Sequence, residues 1–427
     1  MRAPRIVSPV AVALISVAWA SPLAAQDPFQ GPNLLLTRDR VRALQAARAA
    51  NDPLVVAAWD EAVRAADRAL GHTPDPIRGR LKIPGFYTKG KATQQAITRR
   101  LRGDGYAAAA LAYGFALTGR ADYADRAEAI VFAWVDNLGP PQDGGAWYLR
   151  FVGEHRGDTP IVTYYSFPLF LQAYDVLAGA GRIDAGERAR FEAWLRPYVA
   201  YLQREERYKN NHHAWQCAFL LAAGHCLRDR ALIDRAAGYL RNGLRHYVAR
   251  DGSLWRELVR KEKAATYTVM ALEGAMLAVT FAERHGHAGL RLQRADRRGL
   301  GSTIALRALA FRPFGGLPVP KDGGTLRDAI GLLRDFVHDP RSWDRFEPLT
   351  RTRALNGPAA PTDWGWLFEH AHAWWGDARD LALAGAAPYG LQPPRAYATP
   401  HATLCLRPLT PPPTPGISTT VPTPGGP

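Results

Sequence analysis

The densest collection of reactive side chains is the run Asn210-Asn211-His212-His213-Ala214-Trp215, taken with Arg260 and Tyr267 further along the chain. An amide, an imidazole, a guanidinium and a phenol are the groups needed to remove a weakly acidic proton beside a carboxylate. The amide and guanidinium neutralise the anion, and the imidazole or phenol moves the proton. Arg260 and Tyr267 are two helical turns apart, about 700° of rotation, so one continuous helix would present both on the same face. A cation beside a phenol lowers its pKa, so Arg260 is expected to ease deprotonation of Tyr267. Each motif also has a plainer reading. Asn210-Asn211 can simply cap a helix before a packed histidine, and the Arg260 segment can be a solvated basic helix carrying one packed tyrosine.

These residues need elements to hold them. Helical periodicity runs through 36–70, 104–118, 122–137, 160–178, 185–203, 211–227, 230–249, 257–285 and 324–337, with almost no alternating strand pattern. Asn210 and Asn211 open the 211–227 helix, which sets His212 in its first turn and Trp215 below it as an aromatic floor for a sugar. Asp251-Gly252 marks the turn before the segment carrying Arg260. The run Ala124-Asp125-Arg126-Ala127 is echoed by Ile233-Asp234-Arg235-Ala236, each near the start of a second helix after a short polar turn. Repeated helix pairs of this kind predict an all-α fold, an incomplete α/α toroid or barrel. Between the first two helical stretches, Ile83 to Lys91 is a loop of basic and aromatic residues. Lys82, Tyr87, Lys89 and Lys91 are expected to close over an anionic chain, with Gly85 and Gly90 as hinges.

The chain has 427 residues and a formal charge of +15. Residues 1–25 read as a secretory leader: Arg2 and Arg5, a short apolar run, then Leu23-Ala24-Ala25 ahead of Gln26. Nothing else is long and apolar enough to be expected to span a bilayer. Export to the periplasm is expected, with secretion as the alternative. The leader carries two arginines and no acids, so its removal leaves +13 on the rest. That excess favours a polyanionic partner. Export and the dispersed distribution of the basic residues disfavour nucleic acid, leaving acidic polysaccharide. Residues 26–390 form the expected catalytic domain, and 391–427 a Pro-rich tail expected to be disordered. Cys217 and Cys226 would stand roughly 13 Å apart along one helix, too far for a disulfide. Neither cofactor nor metal is expected. Glu369-His370-Ala371-His372 has the wrong spacing, its two imidazoles diverging by about 200° on a helix. Nothing in the sequence sets the oligomeric state.

Asn211-His212 with Trp215, then Glu257-Leu258-Val259-Arg260 with Tyr267, resembles the alginate lyase family of α/α-toroid polysaccharide lyases. Pro84-Gly85-Phe86-Tyr87 likewise resembles the family's lid ahead of the Asp104-Gly105-Tyr106-Ala107 helix. The similarity covers residues 80–285, with a weaker helical remainder. It implies a cleft in which Asn211 and Arg260 neutralise a uronate carboxylate while His212 and Tyr267 handle protons, giving β-elimination and a 4,5-unsaturated end without metal. The chain departs from the family pattern at His213, Thr266 and Thr268, which leaves the preferred uronate open.

Two other classes compete. A glycoside hydrolase on an α/α barrel needs two carboxylates flanking the bond, and Asp143, Glu154 and Glu257 are the candidates. A non-catalytic binder of anionic polymer needs only the basic charge and aromatics. Tyr164, Tyr165, Arg150 and Arg156 are further candidates for lining a cleft.

Overall fold

A computed structural model describes Gly31 and residues 33–141, 157–206, 209–296, 323–358 and 364–384, together with Cys405, Leu406 and Leu409. The leader, Asp143, Arg150, Glu154 and Arg156 lie outside the described residues.

Helices dominate, and their boundaries follow local chemistry. Helix α1 (Arg38–Ala49) is capped by the Thr37 side chain, and α2 (Pro53–Leu70) by Asp52, whose carboxylate accepts from the Leu54 and Val55 amides. The single stretch expected over 36–70 is thus two helices. Asn51 turns left-handed (φ 55°) between them, and Pro53 occupies the first turn, where its missing N–H costs nothing. Strand β1 (Gly79–Leu81) precedes α3 (Lys91–Thr118), which starts well ahead of the expected position because its first turns are polar and hide the periodicity. Then come α4 (Ala121–Asn137), strand β2 (Leu138–Pro141), α5 (Thr159–Gly179) and α6 (Ala185–Leu202). Helices α7 (Asn211–Cys226), α8 (Arg230–Tyr247), α9 (Trp255–Leu258) and α10 (Ala264–Arg284) follow. Four more, α11 (Leu326–His338), α12 (Glu347–Thr350), α13 (Gly365–Trp375) and α14 (Ala378–Ala384), end the helical body. The strands form one short parallel pair, with Gly79 opposite Leu138.

Helices α5, α7 and α10 are buried along nearly their whole length, as expected of helices that are apolar all round. They form an inner row with α3, in the order α3, α5, α7, α10. Outside it, α2 and α4 flank α3, and α8 backs α7. The repeated sequence falls where the helix-pair reading requires: Ala124 and Ala127 on α4, and Ile233 and Ala236 on α8, are all buried. Both outer helices meet an inner-helix glycine that lets the backbones approach, α4 through Tyr123 and α8 through Ile233. A Cβ on Gly114 would lie 3.1 Å from Tyr123, and one on Gly224 would lie 2.7 Å from Ile233. This is the incomplete α/α toroid that the sequence predicts.

The inner helices run in one direction. Tyr113 of α3 donates to Gln172 of α5, Tyr165 of α5 meets Trp215 of α7, and His225 of α7 meets His285 just beyond α10. Their N-termini therefore gather at one pole and their C-termini at the other, so the macrodipoles present a positive end at the first pole.

Two expectations change here. Lys261–Arg284 is long and apolar enough to cross a membrane by length and composition, contrary to the expectation that only the leader region approaches this. It is the core helix of the toroid, almost wholly buried. Packing also extends past residue 390: Cys405 is buried, with Leu406 and Leu409 against the same core, because an apolar Leu-Cys-Leu run interrupts the prolines.

Candidate active site

The N-terminal pole collects the reactive residues. Asn210 caps α7, its side chain accepting from the His212 amide at 3.2 Å. Asn211 is the first helical residue, and its backbone N–H donates to the Glu257 carboxylate at 2.8 Å. The other Glu257 oxygen lies 3.6 Å from Arg260 Nε. The Arg260 guanidinium in turn sits over the Tyr267 ring, 4.7 Å from its centroid, a cation–π contact. Tyr267 ends the series with its hydroxyl 2.9 Å from that of Tyr87. Two segments distant in sequence, and the loop before α3, are thereby joined into one chain of contacts.

Arg260 and Tyr267 reach each other by a route other than the expected one. They do not share a continuous helix. The chain leaves α9 at Leu258, turns left-handed at Lys261 (φ 55°), makes a 3₁₀ turn over Lys261–Lys263 and restarts as α10. Buried Arg256 and Glu257 are the cause. With Glu257 turned inward to hold Asn211, the backbone must double back, and that reversal lays Arg260 on Tyr267.

Asn211 is fully buried, whereas His212 is half-buried and the Arg260 side chain keeps 27% of its surface. The Asn211 amide nitrogen has only the Met270 sulfur within reach, at 3.7 Å, and its oxygen Oδ1 has no hydrogen-bond partner among the described residues. A buried amide with unused capacity is costly, by about 1–3 kcal/mol, and such groups call for a functional explanation.

The phenol of Tyr267 departs from expectation. Burial pushes its pKa well above the ordinary phenol value, and the hydrogen bond with Tyr87 pushes it further; Arg260 lowers it, but by less. The sequence argument counted the neighbouring charge and not the desolvation. In this closed arrangement Tyr267 is a neutral phenol.

A sequence profile of the alginate lyase family matches residues 43–310, well over half the chain. The chain belongs to the alginate lyase family. It is a polysaccharide lyase by that membership, and its fold matches solved lyases. An alginate lyase from Bacteroides ovatus shares 15% identity at a TM-score of 0.58, with 88% of this chain and 98% of the other covered. Alginate lyase A1-III from Sphingomonas species A1 shares 18% identity at a TM-score of 0.61, covering 89% and 96%. A histidine-to-alanine variant of that enzyme, complexed with tetrasaccharide, shares 17% at 0.60 with the same coverage. No curated protein matches the chain significantly.

The remaining candidate residues of this lyase fall in different places. Tyr87 is exposed (58%) and touches Tyr267. Lys82 and Lys89 are exposed, but the cations in contact with the loop aromatics are Lys91, 4.9 Å from the Phe86 ring centroid, and Lys263, 5.3 Å from Phe86 and 5.6 Å from Tyr87. Lys263 was legible as a neighbour of Tyr267, four residues ahead on the same face. Gly85 and Gly90 are not left-handed hinges. A Cβ on Gly90 would strike Pro84 at 2.4 Å, so this glycine permits a close approach.

Trp215 is not a sugar platform. It is fully buried, its indole N–H donating to the Met270 carbonyl at 2.8 Å, with Gly274 making room for its ring. Tyr165 packs on it, and Tyr164 is buried against Glu206, so neither lines an open cleft. Glu257, the hydrolase candidate, is a buried anchor for Asn211 and Arg260. His370 is a core histidine paired with Thr280.

His213 is structural. Its ring lies between the Tyr247 hydroxyl at 2.6 Å and Glu205 at 3.2 Å, and burial lowers its pKa to about 4. Burial acts to raise the Glu205 carboxyl, yet hydrogen bonds from His213, Lys209 and Asn242 bring it to about 2. Next to it, burial raises Glu206 to about 8, although the Tyr164 hydroxyl and Lys209 both favour its charge. A carboxyl raised above its unfolded value contributes stability that is complete below about pH 4.5 and is lost as pH climbs toward 8. Glu206→Gln, which stays neutral, is therefore expected to be more stable than the parent at pH 8 by on the order of 3 kcal/mol and nearly equal at pH 4.5. Urea unfolding at the two pH values measures this; equal gaps would show Glu206 to be charged in the fold.

Proposed function

We propose that the lyase cleaves an acidic polyuronate of the alginate kind by β-elimination, with Asn211, His212, Arg260 and Tyr267 as its catalytic residues. The observation that carries this reading is the unbroken series from Asn211 through Glu257 and Arg260 to Tyr267 at the positive pole of the inner helices. A uronate carboxylate placed there meets Arg260, the spare capacity of the Asn211 amide and favourable helix dipoles. Loss of the C5 proton moves charge onto that carboxylate, which is where these donors act. Once Tyr87 turns away and the Tyr267 phenol has released its own proton to solvent, the phenolate takes the C5 proton and returns it to the departing O4 of the neighbouring sugar. His212, beside Asn211, assists in neutralising the carboxylate or takes the proton from the opposite face. Products carry a 4,5-double bond conjugated with the carboxylate. The basic groups around the loop, Lys91 and Lys263 with exposed Lys82 and Lys89, hold the anionic chain.

The leader expected over residues 1–25 favours action in the periplasm, with secretion as the alternative. Solved relatives complexed with tetrasaccharide support an oligosaccharide-length site. Incubating the protein with a panel of mannuronate-, guluronate- and glucuronate-containing polymers tests the reading directly. Ultraviolet absorbance from the new double bond is expected with at least one. Reducing ends without absorbance would instead make it a hydrolase, and neither signal would make it a binder.

Tyr87→Phe isolates the lid contact. Its hydroxyl raises the Tyr267 pKa, so removing it should move the limb on which kcat/KM, which reports the free enzyme, rises with pH to lower pH. A limb that stays in place would show that Tyr267 does not titrate in the rate-determining step.

A further inference from the structure

We propose that the opposite pole of the toroid carries a second binding site, for a small oxyanion-bearing molecule. A cavity of about 340 Å³ opens there, lined by Arg38, Tyr174, Asp175, Arg188, His225 and Arg228 among others. Helix α7 alone separates it from Asn211 by about 24 Å, so it is not part of the catalytic cleft.

Three guanidiniums face one carboxylate, and that carboxylate is already committed. Asp175 receives the Asn33 and Leu34 amides on one oxygen, both at 2.8 Å, and His225 Nε2 on the other at 2.7 Å. With His225 Nε2 donating to the Asp175 oxygen, His225 Nδ1 accepts from His285 Nε2 at 3.2 Å. Burial lowers His285 to about 3, consistent with a neutral ring. Another acid acting on the neighbouring Tyr174, Glu192, is engaged by Arg196 at 2.8 Å.

The inner-helix C-termini place partial negative charge at this pole, and Arg38 answers it by donating to the Gly179 carbonyl. Arg188 and Arg228 remain. Both line the cavity together with Tyr174, whose ring is clamped against Phe191 at 3.6 Å. Arg228 is held left-handed (φ 53°) at the end of α7, a position where glycine serves better and a side chain is retained at a cost. A guanidinium kept there against backbone preference, lining the same cavity as a second one and a phenol, suits a carboxylate or phosphate oxyanion.

Arg228→Gly removes the cation while relieving the left-handed strain, so loss of binding cannot be blamed on misfolding. Calorimetric titration of the full chain with inorganic phosphate and, separately, with glucuronate is the experiment. At least one probe is expected to saturate a site that persists in Arg260→Ala, and Arg228→Gly combined with Arg188→Ala should weaken it at least about tenfold. Turnover on polymer should be unchanged, and the melting temperature of Arg228→Gly equal or higher. Saturation by phosphate alone assigns free phosphate, and by glucuronate alone a sugar acid. The proposal is overturned if neither probe saturates, if the double variant binds as the parent does, or if binding vanishes in Arg260→Ala.

Discussion

Tyr267→Phe is expected to lower kcat about 10³-fold while leaving oligosaccharide affinity within a few-fold, a loss of about 4 kcal/mol of transition-state stabilisation. The substitution is unusually clean. Phenylalanine keeps the ring under Arg260, so the cation–π contact survives. Among the described residues, the polar contact removed is that with Tyr87, a side chain on the exposed loop. What disappears is the proposed proton carrier at the spot where C5 and O4 would lie. Ultraviolet measurement of double-bond formation under single-turnover conditions, beside calorimetry with a uronate tetramer, separates chemistry from binding. Turnover within tenfold of the parent would remove Tyr267 from the mechanism.

Arg260→Ala is expected to lower kcat/KM by about 10²–10³-fold, with a signature the first variant lacks. Arg260 is the group that lowers the Tyr267 pKa, against burial and Tyr87. Removing it leaves the raising influences of burial and Tyr87 unopposed by this charge, so the limb on which the surviving activity rises with pH should move to higher pH, opposite to Tyr87→Phe. The variant also leaves the Glu257 carboxylate buried with one counter-ion fewer, so some loss of stability accompanies the kinetic effect. Arg260→Lys restores the charge without the planar stacking surface and should recover part of the rate and most of the pH shift. A pH profile that does not move in Arg260→Ala would uncouple the guanidinium from the phenol.

Much of this architecture was written in polarity. Helices such as α4, α6 and α8 alternate between buried and solvated faces and were bounded to within a few residues, and the paired motif on α4 and α8 foretold the layering. The misses have physical causes. The first turns of α3 are polar, so periodicity began only where Asp104 turns inward to His72, Asp75 and Trp134. The break between α9 and α10 carries no glycine or proline, since Lys261 itself adopts the left-handed turn. Trp215 was assigned to a cleft by its spacing from His212. On a helix buried all round, however, no face is the solvent face, and spacing says nothing about direction. Pairwise charge was visible for Tyr267 and burial was not, which reversed the sign of its pKa shift.

The loop before α3 is pinned more tightly than a flap. Ile83 receives the Asp158 amide through its carbonyl at 2.9 Å and donates to Thr159 at 2.9 Å, and Phe86 donates to Asp158 at 2.7 Å. Only Tyr87 to Gly90 lies between those fastenings and the first turn of α3. In the proposed reaction a segment that short would admit substrate by swinging one aromatic rotamer, and exposed side chains turn over in picoseconds to nanoseconds. Enzymes commonly complete about 1–10³ cycles per second. Access on such a gate is faster by many orders of magnitude, so it equilibrates before each turnover and imposes no rate of its own.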